Sequence, residues 1–273
     1  MTRGLFLVGD RINATRKSVA EALKEKDRDF IQREARRQAE SGADVLDLNC
    51  GTGANERDLM AWMVDAVSEV TDKPLFLDSS DSSVIEQGLA RAKDPTRCVA
   101  NSTPFVSERL DSLLPVVKQY KCGVLGLCMD QNGIPSDAEG RVEIAKKLLD
   151  AFDREQIPPE RVYLDPMTEP VATGAEHGIR TLEAAREIRA LAPGIRISVS
   201  LSGISFGLPQ RRWLNRAFLP ALLYAGVDVI MLDPLDRDLM RLVRASQAVL
   251  GMDDFCLRYI TAYRAGELDS GNT

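Results

Sequence analysis

Short apolar runs recur along the chain, and four of them end in the same dipeptide: Leu46-Asp47, Leu77-Asp78, Leu164-Asp165 and Leu232-Asp233. Each run is rich in leucine or β-branched residues and is followed by turn residues and then a helical pattern. The spacing predicts eight strands, at 5–9, 43–49, 74–78, 98–101, 123–129, 162–165, 196–201 and 227–233. Helices are predicted at 18–41, 55–70, 82–91, 107–120, 137–156, 178–191 and 211–225, with 236–250 after the last strand. Within the first of these, Phe30, Ile31, Ala35 and Ala39 fall near helical spacing with charges on the other face. Ser-Gly-Ala at 41–43 and Ala-Gly-Val at 225–227 read as helix stops that lead into strands.

Eight strand–helix units, with no linker and no shift in composition, match a (β/α)8 TIM barrel in a single domain spanning 1–273. A doubly wound open sheet is the alternative. It would carry a glycine-rich phosphate turn after an early strand, and Gly9-Asp10-Arg11-Ile12-Asn13 is not that pattern.

In a barrel of this type the C-terminal ends of all strands open on one face, where active sites are built. The polar residues at those ends are Asp10, Arg11 and Asn13, then Asp47 and Asn49, Asp78, Asn101, Asp130, Asp165, Ser200 and Ser202, and Asp233. Asp, Asn and Ser also cap helices, which accounts for Asp130 and Asp233. Asp47, Asp78, Asn101 and Asp165 stand too far from their following helices to cap them. A carboxylate where a buried strand surfaces is costly without a partner, so these four point to a ligand or a polar network.

The 44% hydrophobic and 28% charged fractions are ordinary for a globular chain of 273 residues with a sizeable core. A formal charge of −6, without a basic stripe, excludes nucleic acid as the main partner. No apolar stretch reaches membrane-spanning length and residues 1–10 lack a signal-peptide layout, so a cytoplasmic protein is expected. The five cysteines (Cys50, Cys98, Cys122, Cys128 and Cys256) are scattered, mostly within apolar runs, and read as buried free thiols.

Several chemistries lack their residues. His177 is the sole histidine and the cysteines have no metal-ligand spacing, so no zinc or iron site is expected. Magnesium held by Asp47, Asp78, Asp165 and Asp233 stays open. Lys73 and Lys121 precede their strands, on the wrong face for Schiff-base work, and no Ser-His-Asp set exists. What remains is a mouth of carboxylates, amides and hydroxyls, suited to a flat heterocycle with many donors and acceptors, such as a pterin.

Gly9-Asp10-Arg11-Ile12-Asn13, Leu46-Asp47-Leu48-Asn49, Leu77-Asp78-Ser79, Asn101-Ser102-Thr103, Leu164-Asp165-Pro166, SLSGISFGLPQRR at 200–212, Asn215-Arg216 and Leu232-Asp233-Pro234 occur in that order. Together, over nearly the whole chain, they resemble the pterin-binding barrel of methyltetrahydrofolate:corrinoid methyltransferases. Dihydropteroate synthases share that fold, but their Gly-Gly-Glu-Ser-Thr-type loop and late basic motif are absent here. The resemblance implies methyl transfer between N5 of a folate and the cobalt of a corrinoid (cobalamin) carried on a separate corrinoid protein. The substrates would be tetrahydrofolate and 5-methyltetrahydrofolate, and a homodimer is expected.

The resemblance also assigns residues. Asp165 pairs with the pterin 2-amino group and N3–H, accepting two parallel bonds. Asp78 and Asn101 meet the N8 side, Asn101 offering both donor and acceptor. Asp47, Asn49 and Arg11 lie deeper as support, with Asp10, Asn13 and Asp233; Arg11 otherwise forms an internal ion pair with Asp47 that braces the mouth. Ser202 lines the pocket near the reacting nitrogen. The family places an asparagine at the position of Gly203, and its loss points to three outcomes: transfer from methylcobalamin to tetrahydrofolate, a water held by Ser202 or Asn101 in place of the amide, or different pterin chemistry. A tight turn needing glycine fits all three.

Arg211 and Arg212 meet either the glutamate tail of folate or an acidic corrinoid partner, or else form a solvated helix face. The segment 166–178, with two prolines and two glycines, is a candidate lid or docking element. Trp62 and Trp213 read as packing residues. The rival to catalysis is a barrel that binds folate without transferring methyl, or another pterin-dependent transferase.

Overall fold

Eight parallel strands close in chain order: β1 (Phe6–Asn13), β2 (Val45–Asn49), β3 (Leu75–Asp78), β4 (Val99–Phe105), β5 (Gly123–Asp130), β6 (Val162–Asp165), β7 (Arg196–Ser200) and β8 (Val229–Leu232). β1 pairs with both β2 and β8, which completes the ring. The chain is therefore a (β/α)8 TIM barrel. The computed structural model describes residues 4–53 and 55–269; the other positions of the expected 1–273 unit lie outside the described residues.

Side chains alternate across each strand, and both faces are covered. Val8, Val45, Phe76, Val99, Leu125, Val229 and Met231 form one buried cluster, the lower filling of the barrel. Their chain neighbours Leu46, Leu77, Ala100, Val124 and Ile230 belong to the second cluster, packed against the helices. The Leu-Asp dipeptide follows from that period of two. Leucine faces the helices, and the aspartate continues the inward row one pleat above the apolar filling: Val45 then Asp47, Phe76 then Asp78, Tyr163 then Asp165.

The helices are α1 (Lys17–Glu25), α2 (Arg28–Glu40), α3 (Glu56–Ser68), α4 (Ser82–Arg91), α5 (Ser107–Tyr120), α6 (Ala138–Arg154), α7 (His177–Leu191), α8 (Arg211–Tyr224), α9 (Arg237–Val249) and α10 (Leu257–Arg264). The single helix expected over 18–41 is two: Lys26 turns left-handed at φ 52°, and the Asp27 side chain caps α2 by accepting from Phe30 N. Asp130 and Asp233 cap no helix. Each accepts a backbone N–H two residues on, from Asn132 (2.8 Å) and Leu235 (3.0 Å), and the caps of α6 and α9 are Asp137 and Asp236. Cys256 is exposed, unlike the four other cysteines. Trp213 is 61% exposed, with the Arg216 guanidinium 5.2 Å from its ring centroid, and is not a core residue.

Two strands run four residues past their expected ends, and β5 runs one past, to Asp130. β1 continues to Asn13 across a register shift between Gly9 and Ile12. There Gln38 Oε1 accepts from Arg11 N at 3.0 Å, and a Cβ on Gly9 would stand 2.5 Å from that same oxygen, so any larger residue would push Gln38 off this bond. β4 continues to Phe105 with a shift between Asn101 and Thr103, and the Asn101–Ser102 peptide is cis. At the opposite end of the barrel the Arg196 guanidinium lies 4.1 Å from the Phe6 ring centroid, and buried Asp228 takes Arg189 Nη2 and Ile197 N, both at 2.8 Å.

Candidate functional site

A cavity of about 760 Å³ opens at the C-terminal ends of the strands. Asp10, Asp47, Asp78, Asn101, Asp165 and Ser202, from six different strands or the turns that follow them, line it over a floor of Leu125, Leu127 and Met231. Polar groups ring an apolar base, which suits a planar guest with a polar edge.

Two amide–carboxylate pairs organise one wall. Asn101 Nδ2 donates to Asp47 Oδ1 at 3.0 Å, and Asn49 Nδ2 donates to Asp78 Oδ2 at 2.7 Å. Burial pushes Asp47 well above the ordinary carboxylate range; the charge of Asp78 adds to this, and the Asn101 bond works against it. Burial raises Asp78 too, opposed by the Asn49 bond. Asn49 also accepts Gly51 N at 2.8 Å and faces a neighbouring hollow of about 700 Å³, to which Asp78 also contributes. Asn49 therefore braces Asp78 and does not line the main cavity.

Asp165 stands on β6, away from these pairs. Its side chain accepts one hydrogen bond among the described residues, from Met167 N at 2.7 Å to Oδ1. Burial lifts it to about 7, against the pull of that N–H and of the Arg141 charge.

The β1 corner is ionic. Arg11 donates Nε to Glu34 (2.7 Å) and Nη1 to Asp233 (2.6 Å). The internal ion pair expected of Arg11 exists, but with these partners and not with Asp47. Arg11 leans across the rim, and Asp47 sits deeper, on the inward row of β2. Arg16 Nη2 lies 3.5 Å from Asp10 and 3.6 Å from Asp233. Removal from water raises Asp10 above the usual carboxylate range; Arg16 opposes this and Asp233 adds to it. Asn13 Oδ1 accepts from Thr15 N and Thr15 Oγ1 at 3.0 and 2.7 Å, which turns the chain out of β1.

After β7 the chain makes a tight turn, Leu201–Ser205, that carries Ser202 and Gly203. Arg211 donates Nη2 to Ser202 O (2.7 Å) and Nε to Ser205 Oγ (3.1 Å), so it staples the turn while staying exposed to solvent. Arg212 is exposed at the cavity rim. Gly203 does not line the cavity; a Cβ there would meet Thr168 O at 3.0 Å. The 166–178 segment that carries Thr168 is tied down through Arg141, Thr181 and His177 Nδ1, the last 2.9 Å from Pro170 O.

Some cavity residues escaped the sequence reading. Asn215 on α8 lines the cavity, and its Oδ1 is buried without a hydrogen-bond partner among the described residues. It sits inside a helix, so no strand-end rule finds it; the only signal is its place in the Asn215-Arg216 motif. Arg16 and Phe206 join the rim in the same way. Among the described residues no group of three or more His, Cys, Asp or Glu is disposed to hold a metal ion, and no helix is long and apolar enough to cross a membrane.

A barrel with its apolar floor beneath a ring of carboxylates and amides defines a pterin-site architecture. The chain belongs to the pterin-binding enzyme family, whose model matches residues 9–233. It is 32% identical over 268 residues to the methylcorrinoid:tetrahydrofolate methyltransferase of Eubacterium limosum, covering 97% of this chain and 98% of that protein. It is 30% identical over 238 residues to the methionine synthase of Mycobacterium leprae (strain TN), covering 82% of this chain but only 20% of that longer protein. Among solved structures it superposes on 7,8-dihydropteroate synthase from Vibrio fischeri ES114 with a TM-score of 0.68 at 17% identity, covering 92% of this chain and 95% of that one. The dihydropteroate synthase of Yersinia pestis gives 0.64 at 16% identity, covering 93% and 94%. At such identity these two speak for the fold alone.

Proposed function

We propose that this chain transfers a methyl group between the cobalt of a corrinoid held by a separate protein and N5 of tetrahydrofolate, in the direction of tetrahydrofolate. One observation carries the reading: Asp78, Asn101 and Asp165 converge on a single cavity of about 760 Å³ over an apolar floor. The similarity to the methylcorrinoid:tetrahydrofolate methyltransferase of Eubacterium limosum over 97% of the chain supports the choice of substrates and direction.

In this reading Asp165 accepts the pterin 2-amino group and N3–H in parallel, which fixes the ring as well as binding it. Asn101 spends its Nδ2 on Asp47 at 3.0 Å, so its Oδ1 is the atom left to accept N8–H. Asp78, held by Asn49, flanks the same edge. Leu125, Leu127 and Met231 give the ring its apolar bed. Arg212 at the rim meets the glutamate tail or the acidic surface of the corrinoid protein.

The reaction breaks the cobalt–carbon bond and forms the N5–carbon bond. The bonding pair stays on cobalt, and the N5 proton leaves to solvent. Such an in-line displacement depends mainly on holding the two centres in register, which is the task of a rigid strand-borne ring of contacts. Gly203 provides no side chain toward N5. Ser202, the Asn215 Oδ1 that lacks a partner among the described residues, and a water held between such groups supply the polar contacts on that side.

The test is to incubate the purified chain with tetrahydrofolate and methylcobalamin, then with a methylated corrinoid protein, and assay 5-methyltetrahydrofolate. Folate binding with no turnover on either donor would identify a carrier, the alternative that the missing asparagine at Gly203 raises. Asp165→Ala is expected to abolish folate binding with the barrel intact by circular dichroism; near-normal affinity in that variant removes the pterin assignment.

A further inference from the structure

Arg141, on α6, is 0% exposed, yet it has no part in the pterin contacts proposed above. Its guanidinium donates Nη1 to Pro166 O (3.1 Å) and Met167 O (2.5 Å), Nε to Pro135 O (3.2 Å) and Nη2 to Glu169 Oε2 (2.6 Å). Pro166 and Met167 are the two residues that follow Asp165. Met167 adopts φ 65°, a left-handed conformation that a non-glycine residue keeps only when its surroundings hold it. Arg141 and the Thr181 hydroxyl, 3.1 Å from the same carbonyl, do so. Arg141 Nη1 also holds Pro166 O, the carbonyl of the peptide that carries the Met167 N–H, and with that carbonyl fixed on one side the N–H points the other way, at Asp165 Oδ1, 2.7 Å away.

We propose that Arg141 is a positioning residue for Asp165: it clamps the peptide that donates to the carboxylate and sets a buried positive charge beside it, and so fixes the pH range in which the site binds its ligand. The inference rests on the pterin reading for the identity of that ligand.

The electrostatics agree with the geometry. Burial lifts Asp165 to about 7, and the two influences that hold it down are the Met167 N–H and the Arg141 charge. The groups around the pair are few. Cys128, on the helix side of β5, feels the Asp165 charge as a thiol that burial holds well above its ordinary value; Glu169 neutralises Arg141, Arg180 on α7 opposes it, and His177 Nε2 lies 3.9 Å from Glu169. A buried guanidinium bound mostly to neutral carbonyls keeps more of its field than one paired to a carboxylate on each edge.

Two substitutions with opposite signs test this. Arg141→Gln removes the charge and should move the Asp165 titration up by about one unit, which lowers folate affinity by about fivefold at pH 7, approaching about tenfold at lower pH, and spares it at high pH. Glu169→Gln leaves Arg141 unneutralised and should move the titration down, extending tight binding to lower pH. The titration is read in the ligand-free protein from the carboxyl carbon-13 shift of Asp165, assigned by its loss in Asp165→Asn, and tetrahydrofolate affinity is read by calorimetry across the same pH range. Opposite movements support the proposal. A midpoint unmoved in both variants, or an affinity lowered equally at every pH, overturns it. If Arg141→Gln does not fold, the direction of the Glu169→Gln shift decides alone. If the carbon-13 midpoint moves as stated while tetrahydrofolate fails to bind even the unmodified protein, the pterin reading fails and the positioning role stands.

Discussion

Asp228 at the base of the barrel and Asp47 and Asp165 at its mouth are held in opposite ways, while Asp233 at the rim resembles the base in being paired with Arg11. At the base, Asp228 meets Arg189 at 2.8 Å, Arg196 at 3.8 Å and the Ile197 N–H at 2.8 Å. At the mouth, Asp165 has one N–H and Asp47 one amide, and burial raises both carboxyl groups. A carboxylate surrounded by cations ties strands together. A carboxylate kept dry and short of donors costs the empty protein stability, and that cost is recovered only when something else brings the donors. Chemistry belongs at the mouth because Asp47 and Asp165 are met only by neutral N–H donors. Asp228, though its Oδ2 accepts no hydrogen bond among the described residues, lies between two guanidinium groups.

The contrast breaks most visibly at the base. Asp228→Ala leaves the Arg189 guanidinium short of its partner and the Ile197 N–H without an acceptor, and should cost about 3–5 kcal/mol by chemical denaturation. Folate affinity per folded molecule should stay within about threefold, a spread of under 1 kcal/mol. A base variant that loses ligand while keeping stability would erase the distinction between the two ends.

A smaller effect comes from Asp165 and has a defined sign. Its folded value of about 7 exceeds the ordinary 3.8, so between these limits the folded state holds a proton that the unfolded chain has released. Stability from this group is therefore greatest below about pH 4 and declines as pH rises toward about 7, by a few kcal/mol. Asp165→Asn should flatten that part of the stability–pH curve, as measured by urea midpoints at successive pH values; an unchanged slope means the carboxyl group is not held dry.

The smallest effect is at Gly203. A methyl group there would stand 3.0 Å from Thr168 O, so Gly203→Ala should cost about 1 kcal/mol through a shift of the 166–178 segment. Thermal unfolding of the variant measures it, and a stabilised protein would show that the turn has room to spare.

How much of this was legible in the chain depends on range. The barrel was, because a period of two and a recurrent Leu-Asp ending are written locally: leucine to the helices, aspartate to the interior. The convergence of Asp47, Asp78, Asn101 and Asp165 follows from ring closure, so the strand ends alone place them on one face. Where these side chains spend their hydrogen bonds was not legible. Arg11 reaches Asp233, 222 positions away, and pairs with Glu34 on α2, contacts that no local pattern encodes. Asn49 reads like its neighbours yet is turned onto Asp78 and Gly51. Asn215 and Arg141 sit on helices, where polar residues usually face water, and only the packed structure shows them turned inward.

The dryness of Asp165 has a calorimetric consequence. Near neutrality the empty site holds a partly protonated acid, and a guest that presents two N–H groups to it demands the carboxylate form. Each association near pH 7 therefore ejects part of a proton into the medium, and the apparent heat should vary with the ionisation enthalpy of the buffer. Phosphate and Tris, which absorb that proton with different heats, become reporters of a single side chain.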